Sequence, residues 1–185
     1  MAKTKIWLSM LIAAAFFCLP SLSSGDEEAV QARGLLSRDK IHPGETFKVA
    51  VVLTINGGWH VNANPVNDEF LLPTTLTAEE DNGFKVLQTS YPKPRTGKFE
   101  YSEVELQIYS TEAVLAIMAK ADQGLALGGH KLKLKVSYQA CNDRFCMPPK
   151  EIGLEIPVEV VPASQPGRDI NQDIFAKIEF PKEIK

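Results

Sequence analysis

The sequence has few or none of the features that are typical of several large classes of protein. It has only three cysteines and three histidines in 185 residues, no internal repeat and no block of basic residues. With 23 acidic and 20 basic residues the net charge is −3, so we expect no nucleic-acid partner. Its longest apolar run, residues 6–19, is shorter than the roughly 20 residues that a transmembrane helix needs. Hydrophobic residues nevertheless make up 44% of the chain, which excludes disorder over most of its length.

The N-terminal segment predicts export. Lys3 and Lys5 precede the apolar run, and Pro20 and a serine-rich stretch follow it. A charged start, a short apolar centre and small residues before the cut define a secretory signal peptide, predicted here for residues 1–24. The alternative is a membrane anchor, for which the run is too short. Cleavage removes one cysteine and leaves Cys141 and Cys146, which would meet an oxidising compartment.

Residues 30–161 have the pattern of short β-strands with turns between them. In residues 131–138 apolar and polar side chains alternate without interruption, with the apolar ones at even-numbered positions. Residues 152–160 also have their apolar side chains at the even-numbered positions. Pro157 cannot donate to a ladder and indicates an edge strand or a bulge at that position. Asn56-Gly57-Gly58 separates two β-rich runs and suggests a hairpin or a bend. Seven or more such strands predict an all-β fold, an antiparallel β-sandwich.

Two segments are less regular. Residues 112–121 are rich in alanine and leucine, which favours helix, but a strand buried on both faces has the same pattern, and we predict a strand. Residues 162–185 begin as a proline-containing linker and then place Ile170, Ile174 and Ile178 four apart. This spacing predicts a short amphipathic helix or docking tail, with Asp169 as a possible cap.

Cys141 and Cys146 are separated by four residues, the length of a hairpin loop. On the two flanking strands the buried positions are even-numbered, so Cys141 is out of phase with its strand and Cys146 is in phase. Residues paired across a regular ladder share a face. The cysteines therefore cannot pair as an extension of that ladder unless a bulge or loop intervenes, and Pro148-Pro149 would end the ladder there.

Three interpretations of this pair stay open. A structural disulfide closing so small a loop would add only about 2 kcal/mol. A redox pair needs adjacent, accessible sulfurs, and Arg144 is near enough to favour a thiolate. A copper-handling site would use the two thiolates, Met147 and a histidine, although nothing in the sequence places His60 or His130 near them. We expect no resident metal and no cofactor.

The residues around the cysteines carry a family resemblance. The stretch from Tyr138-Gln-Ala-Cys141 to Cys146-Met-Pro-Pro149, together with Gly58-Trp59-His60-Val61-Asn62, resembles the N-terminal periplasmic domain of the thiol:disulfide interchange protein DsbD. The resemblance covers nearly all of residues 30–161. It implies an immunoglobulin-like sandwich that works in the periplasm, where the family passes electrons from a membrane-embedded partner to thiol-disulfide proteins.

The resemblance also implies roles for single residues. Cys146 corresponds to the attacking thiol and Cys141 to the resolving thiol, and Phe99 corresponds to an aromatic cap over the pair, unless it is a core residue at the start of the next strand. Four residues are candidates for supporting roles: Trp59, His60, Tyr138 and Arg144. The implied partners are periplasmic thioredoxin-like or disulfide isomerase proteins and a membrane-embedded thiol donor on a separate chain. We expect the protein itself to be a monomer.

Overall fold

The computed structural model describes residues 28–79 and 83–181. The predicted signal peptide lies outside these residues. None of the helices in the described part of the chain is both long and apolar enough to cross a membrane.

In the described residues, eleven strands form three antiparallel sheets. In chain order the strands are β1 Val30–Leu36, β2 Thr46–Ile55, β3 His60–Asn62, β4 Thr75–Ala78, β5 Phe84–Ser90, β6 Arg95–Gly97, β7 Leu106–Tyr109, β8 Glu112–Ala121, β9 Gly128–Tyr138, β10 Ala140–Cys141 and β11 Lys150–Val160. The first sheet has the order β1-β2-β8-β5, the second β11-β9-β4 and the third β10-β3-β7-β6. The predicted fold class, an immunoglobulin-like antiparallel sandwich, is confirmed.

The core lies between the first and second sheets. It is built from the alternating apolar positions of the long strands, among them Leu53, Ile117, Leu134, Val136 and Val158, each almost completely buried. On β9 and β11 the even-numbered positions point inward, as the period of two predicts. Pro157 lies on β11, an edge strand of the second sheet, so the edge prediction is confirmed.

The segment from Glu112 to Ala121 is a strand, as predicted, and both of its faces are covered. Leu115 and Ile117 face the core, while Ala116 on the other face is also fully buried. The cover on that outer face comes from the C-terminal tail, because Ile174 and Ile178 line one cavity together with Val114 of β8 and Val52 of β2. A strand between two apolar layers needs no polar face, which explains why its composition resembled a helix.

The tail is a docking segment with less helix than its isoleucine spacing suggests. Helix α1 spans only Gln172–Phe175, and Phe175 is buried. The prediction that Asp169 caps this helix was wrong. Asp169 instead forms a β-bridge and an ion pair with Arg38. The residue that precedes the helix is Asn171, in a left-handed conformation. Further along, the Ser90 hydroxyl donates to the carbonyl of Glu179 at 2.6 Å. These contacts tie the tail to the first sheet.

The break at Asn56-Gly57-Gly58 is not a hairpin. Strand β2 ends at Ile55 in the first sheet, and β3 begins at His60 in the third sheet. Gly58 has a φ of 81°, a conformation that favours glycine. The chain therefore changes sheets at this point, and β3 enters the sheet that also receives the first cysteine.

Candidate functional site: a disulfide hairpin between two sheets

Strand β9 leaves its sheet just before the first cysteine. Its last pair with β11 joins Tyr138 to Lys150, and Gln139 follows unpaired. The next two residues form β10 and pair with β3 of the third sheet, Ala140 with Val61 and Cys141 with His60. The cysteine hairpin thus begins where one continuous stretch of chain passes from the second sheet to the third.

The two sides of the hairpin slip by one residue at this crossing. Met147 donates its N–H to the carbonyl of Ala140 at 2.8 Å, so one residue, Gln139, lies opposite two, Pro148 and Pro149. The Gln139 side chain spans the gap by donating to the Met147 carbonyl at 3.2 Å. This is the bulge that the parity of the buried positions required, and that prediction is confirmed.

The cysteines lie opposite each other at the only pair between the bulge and the turn. Asn142 donates its N–H to the carbonyl of Phe145 at 2.9 Å, and its Oδ1 accepts from the N–H groups of Arg144 and Phe145 at 2.9 and 3.0 Å. Cys141 and Cys146 thus occupy a non-hydrogen-bonded position, where antiparallel strands approach most closely. Their Cα atoms are 3.9 Å apart and their sulfurs are bonded at 2.02 Å. The predicted pairing of the two cysteines is confirmed.

The two cysteines differ in exposure. Cys141 is completely buried, whereas Cys146 is partly exposed and lies between the exposed ring of Phe145 and exposed Pro148 and Pro149. A protein that approaches from solvent therefore reaches Cys146 first. Cys141 is therefore the more sheltered of the two residues.

Three rings form a stack beside Cys141. His60, the cross-strand partner of Cys141, lies against Phe99 with ring centroids 4.0 Å apart and planes at 19°. Phe99 stacks in turn on Tyr101 at 5.5 Å, and the Tyr101 hydroxyl lies 2.8 Å from Nε2 of His60. Phe99 and Tyr101 both come from the β6–β7 loop, so this loop folds over the end of the third sheet.

The stack changes the acid-base properties of its members. Burial lowers the pKa of His60 below its ordinary value, and the negative charge of Asp143 in the turn acts in the opposite direction. Burial also raises the pKa of Tyr101 to about 12, and the Asp143 charge adds to this shift. At neutral pH both groups are therefore held in their uncharged forms.

The other predicted residues lie in different surroundings. Trp59 meets the ring of Phe145 edge-on with centroids 6.0 Å apart, so it packs against the turn. Arg144 is exposed at the tip of the turn. Tyr138 belongs to the hydrophobic core, where burial raises its pKa. Phe99 lies in the β6–β7 loop and is partly exposed, well before β7 begins at Leu106.

Sequence reasoning missed Tyr101 and the two amides at the crossing. The spacing of Phe99 and Tyr101, two apart in a loop, could have indicated paired rings. Asn62 donates to the carbonyl of Leu72 at 3.0 Å and to Oε1 of Gln139 at 3.5 Å, contacts that only the sheet change explains. Across residues 28–79 and 83–181, no three or more histidine, cysteine or acidic side chains are grouped so as to hold a metal ion.

Fold and site together define an immunoglobulin-like domain with a disulfide hairpin at the edge of its sheets. The family model "Thiol:disulfide interchange protein DsbD, N-terminal" matches residues 32–155. The chain belongs to this family.

Two solved structures are similar to this chain, and the first of them shares its fold. The N-terminal periplasmic domain of ScsB from Proteus mirabilis has a TM-score of 0.54 at 17% identity over 77% of this chain, which spans about half, 52%, of that one. The reduced N-terminal domain of DsbD from Neisseria meningitidis has a TM-score of 0.46 at 21% identity, with 72% of this chain and 88% of that chain covered. A search of curated proteins gave no match.

Proposed function

We propose that the protein is a periplasmic dithiol relay, in which Cys146 exchanges disulfides with redox proteins and Cys141 resolves the intermediate. The observation that carries this proposal is the unequal exposure of the two cysteine residues. A partner can reach Cys146 at the surface, while Cys141 is buried directly across the hairpin. Exchange needs such a division between an accessible attacking thiol and a nearby resolving thiol.

The chemistry is a two-electron transfer. The thiolate of reduced Cys146 attacks a partner's disulfide, which forms a mixed disulfide and releases one partner thiolate. Cys141 then attacks Sγ of Cys146, which forms the intramolecular disulfide and releases the second partner thiolate. The partner is reduced by two electrons and this protein is oxidised by two. A thiol donor restores the dithiol by the reverse sequence.

The hairpin itself favours exchange over a purely structural disulfide. Its two ends are already joined by backbone hydrogen bonds on either side of the cysteines, and Asn142 closes the turn with two more. A disulfide across so short a loop adds only about 2 kcal/mol in the chain-entropy model. The disulfide therefore contributes little to the stability of the fold, and it can open without unfolding the domain.

The location and the partners follow from the same proposal. The N-terminal segment would direct export to the periplasm, where thioredoxin-like or disulfide isomerase proteins would be the exchange partners. A membrane-embedded thiol protein on a separate chain would supply electrons, and the relay would act as a monomer.

Trapping tests the proposal. Cys141→Ser and Cys146→Ser variants of the mature protein are reduced and mixed with an oxidised thioredoxin-like protein, and mixed disulfides are resolved on non-reducing gels and located by mass spectrometry. We expect Cys141→Ser to accumulate the mixed disulfide through Cys146 and Cys146→Ser to accumulate little. The double variant is the blank. Equal trapping by both single variants would remove the assignment of roles, and no trapping by either would leave the structural disulfide as the better interpretation.

A further inference from the structure

His60 lies directly across the β3–β10 pair from Cys141. Side chains at directly opposed positions share one face of the sheet, with Cβ atoms about 5 Å apart. Both residues are removed from solvent, His60 with 4% of its surface exposed and Cys141 with none. The imidazole is therefore a titratable neighbour of the sheltered cysteine.

The imidazole is held in position from two sides. The Phe99 ring stacks on it at 4.0 Å, and Nε2 lies 2.8 Å from the hydroxyl of Tyr101. Burial keeps this hydroxyl protonated, so it can donate to a bare Nε2 in one tautomer of His60 or accept from Nε2–H in the other. In the tautomer with the proton on Nε2, Nδ1 carries no hydrogen and is the ring nitrogen that can accept a proton.

In the proposed exchange reaction, this nitrogen can accept the proton that Cys141 must lose. A thiol buried in apolar surroundings ionises less readily than one in water, and only the thiolate attacks a disulfide. When a partner is bound to Cys146, water is further excluded from Cys141. Resolution therefore requires a proton acceptor inside the site.

We propose that His60 is the general base for resolution, an inference that rests on the exchange function proposed above. The Sγ–H proton of Cys141 moves to Nδ1 of His60, and the resulting thiolate attacks Sγ of Cys146. The bond between Cys146 and the partner's sulfur breaks, and the partner leaves as a thiolate. The imidazolium then returns its proton to solvent. In the reverse direction the same group protonates Cys141 as it leaves the disulfide.

The groups that face His60 suit this role. Burial lowers the pKa of His60, so the ring is neutral and ready to accept a proton at neutral pH. The Asp143 carboxylate opposes that shift and would stabilise the imidazolium once it forms. Tyr101 stays uncharged, with a pKa of about 12. Glu100, which lies between Phe99 and Tyr101 in the sequence, is exposed to solvent.

A small disulfide reagent separates the two steps. Reduced protein is mixed in a stopped-flow instrument with excess dithiobis(nitrobenzoate), whose coloured thiolate is released once when Cys146 attacks and once when Cys141 resolves. We expect His60→Gln to leave the first phase unchanged and to slow the second at least about tenfold at neutral pH, within the range of general-base contributions. His130→Gln, which removes a histidine that bonds the carbonyl of Ala126, is the matched control.

The pH profile distinguishes a base from a structural side chain. In the native protein the second phase should fall as the pH drops through the pKa of His60, below 6.5. In His60→Gln it should instead rise about tenfold per pH unit toward the thiol pKa, since only spontaneous ionisation remains. Tyr101→Phe removes the hydroxyl that bonds Nε2 of His60 and so no longer fixes the tautomer of His60. Its second-phase rate should lie between those of the native protein and His60→Gln. The same second-phase rate and profile in His60→Gln and native protein would overturn the role of His60 alone. No release by reduced native protein would overturn the exchange function as well.

Discussion

The ring of Phe99 occupies the space that a side chain on Gly97 would need. A Cβ built on Gly97 would lie 2.7 Å from Cζ of Phe99, closer than real contacts allow. Gly97 ends β6, and its missing side chain lets the loop bring Phe99 back over its own strand and onto His60. The position of the proposed cap thus depends on a glycine two residues before it.

We predict that both Gly97→Ala and Phe99→Ala increase the rate at which iodoacetamide alkylates the reduced protein. The first change displaces the ring and the second removes it, and either should open the site beside the sulfurs. Because Phe99 is only partly buried, Phe99→Ala should lower the free energy of unfolding by about 1 kcal/mol, well below the roughly 3 kcal/mol or more expected for a core phenylalanine. Rates are measured by mass spectrometry and stabilities by urea unfolding.

Gly153→Ala is the matched control for the glycine change. Gly153 lies on β11, and a Cβ there would have open space around it. This variant should alkylate at the native rate. If Phe99→Ala left alkylation unchanged and cost several kcal/mol, Phe99 would be a packing residue and the cap would have to be abandoned.

Reduction of the disulfide should destabilise the domain only slightly. The loop that it closes is short and its turn keeps the Asn142 hydrogen bonds, so we expect the free energy of unfolding to fall by about 2 kcal/mol. Urea unfolding of the oxidised protein, of the reduced protein and of a Cys141→Ser/Cys146→Ser double variant measures this. A loss large enough to unfold the reduced domain at room temperature would favour the structural interpretation of the bond.

The tail should contribute measurably to stability through Phe175. Phe175 is buried against the first sheet, and its replacement by alanine should cost about 3 kcal/mol. Gln172→Ala, on the exposed side of the same helical turn, should change the stability by less than about 0.5 kcal/mol. Thermal unfolding of the two variants tests this, and equal stability would show that the tail is not part of the cooperative unit.

The sequence predicted those features that depend on local alternation. The strands that flank the cysteines and the need for a bulge or loop beside Cys141 followed from which positions were apolar, and the edge position of Pro157 followed from its missing N–H group. The passage of the chain between sheets at Asn56-Gly57-Gly58 and at Gln139 could not be predicted, because pairing partners far apart in sequence decide it. For the same reason the direct pairing of His60 with Cys141 could not be derived from the residue pattern, and only the family resemblance had indicated His60 before the structure placed β3 beside β10.

The C-terminal tail covers the first sheet, and this limits where the chain can be truncated without exposing apolar surface. The family match stops at residue 155, whereas β11 continues to Val160 and the tail then lies across β2 and β8. A fragment cut at the family boundary would lose five residues of an edge strand and uncover the apolar outer face around Ala50, Val52 and Ala116. Contiguous apolar surface of that kind promotes association between molecules. The segment matched by the family model and the segment that completes β11 and covers the first sheet are therefore different stretches of this chain.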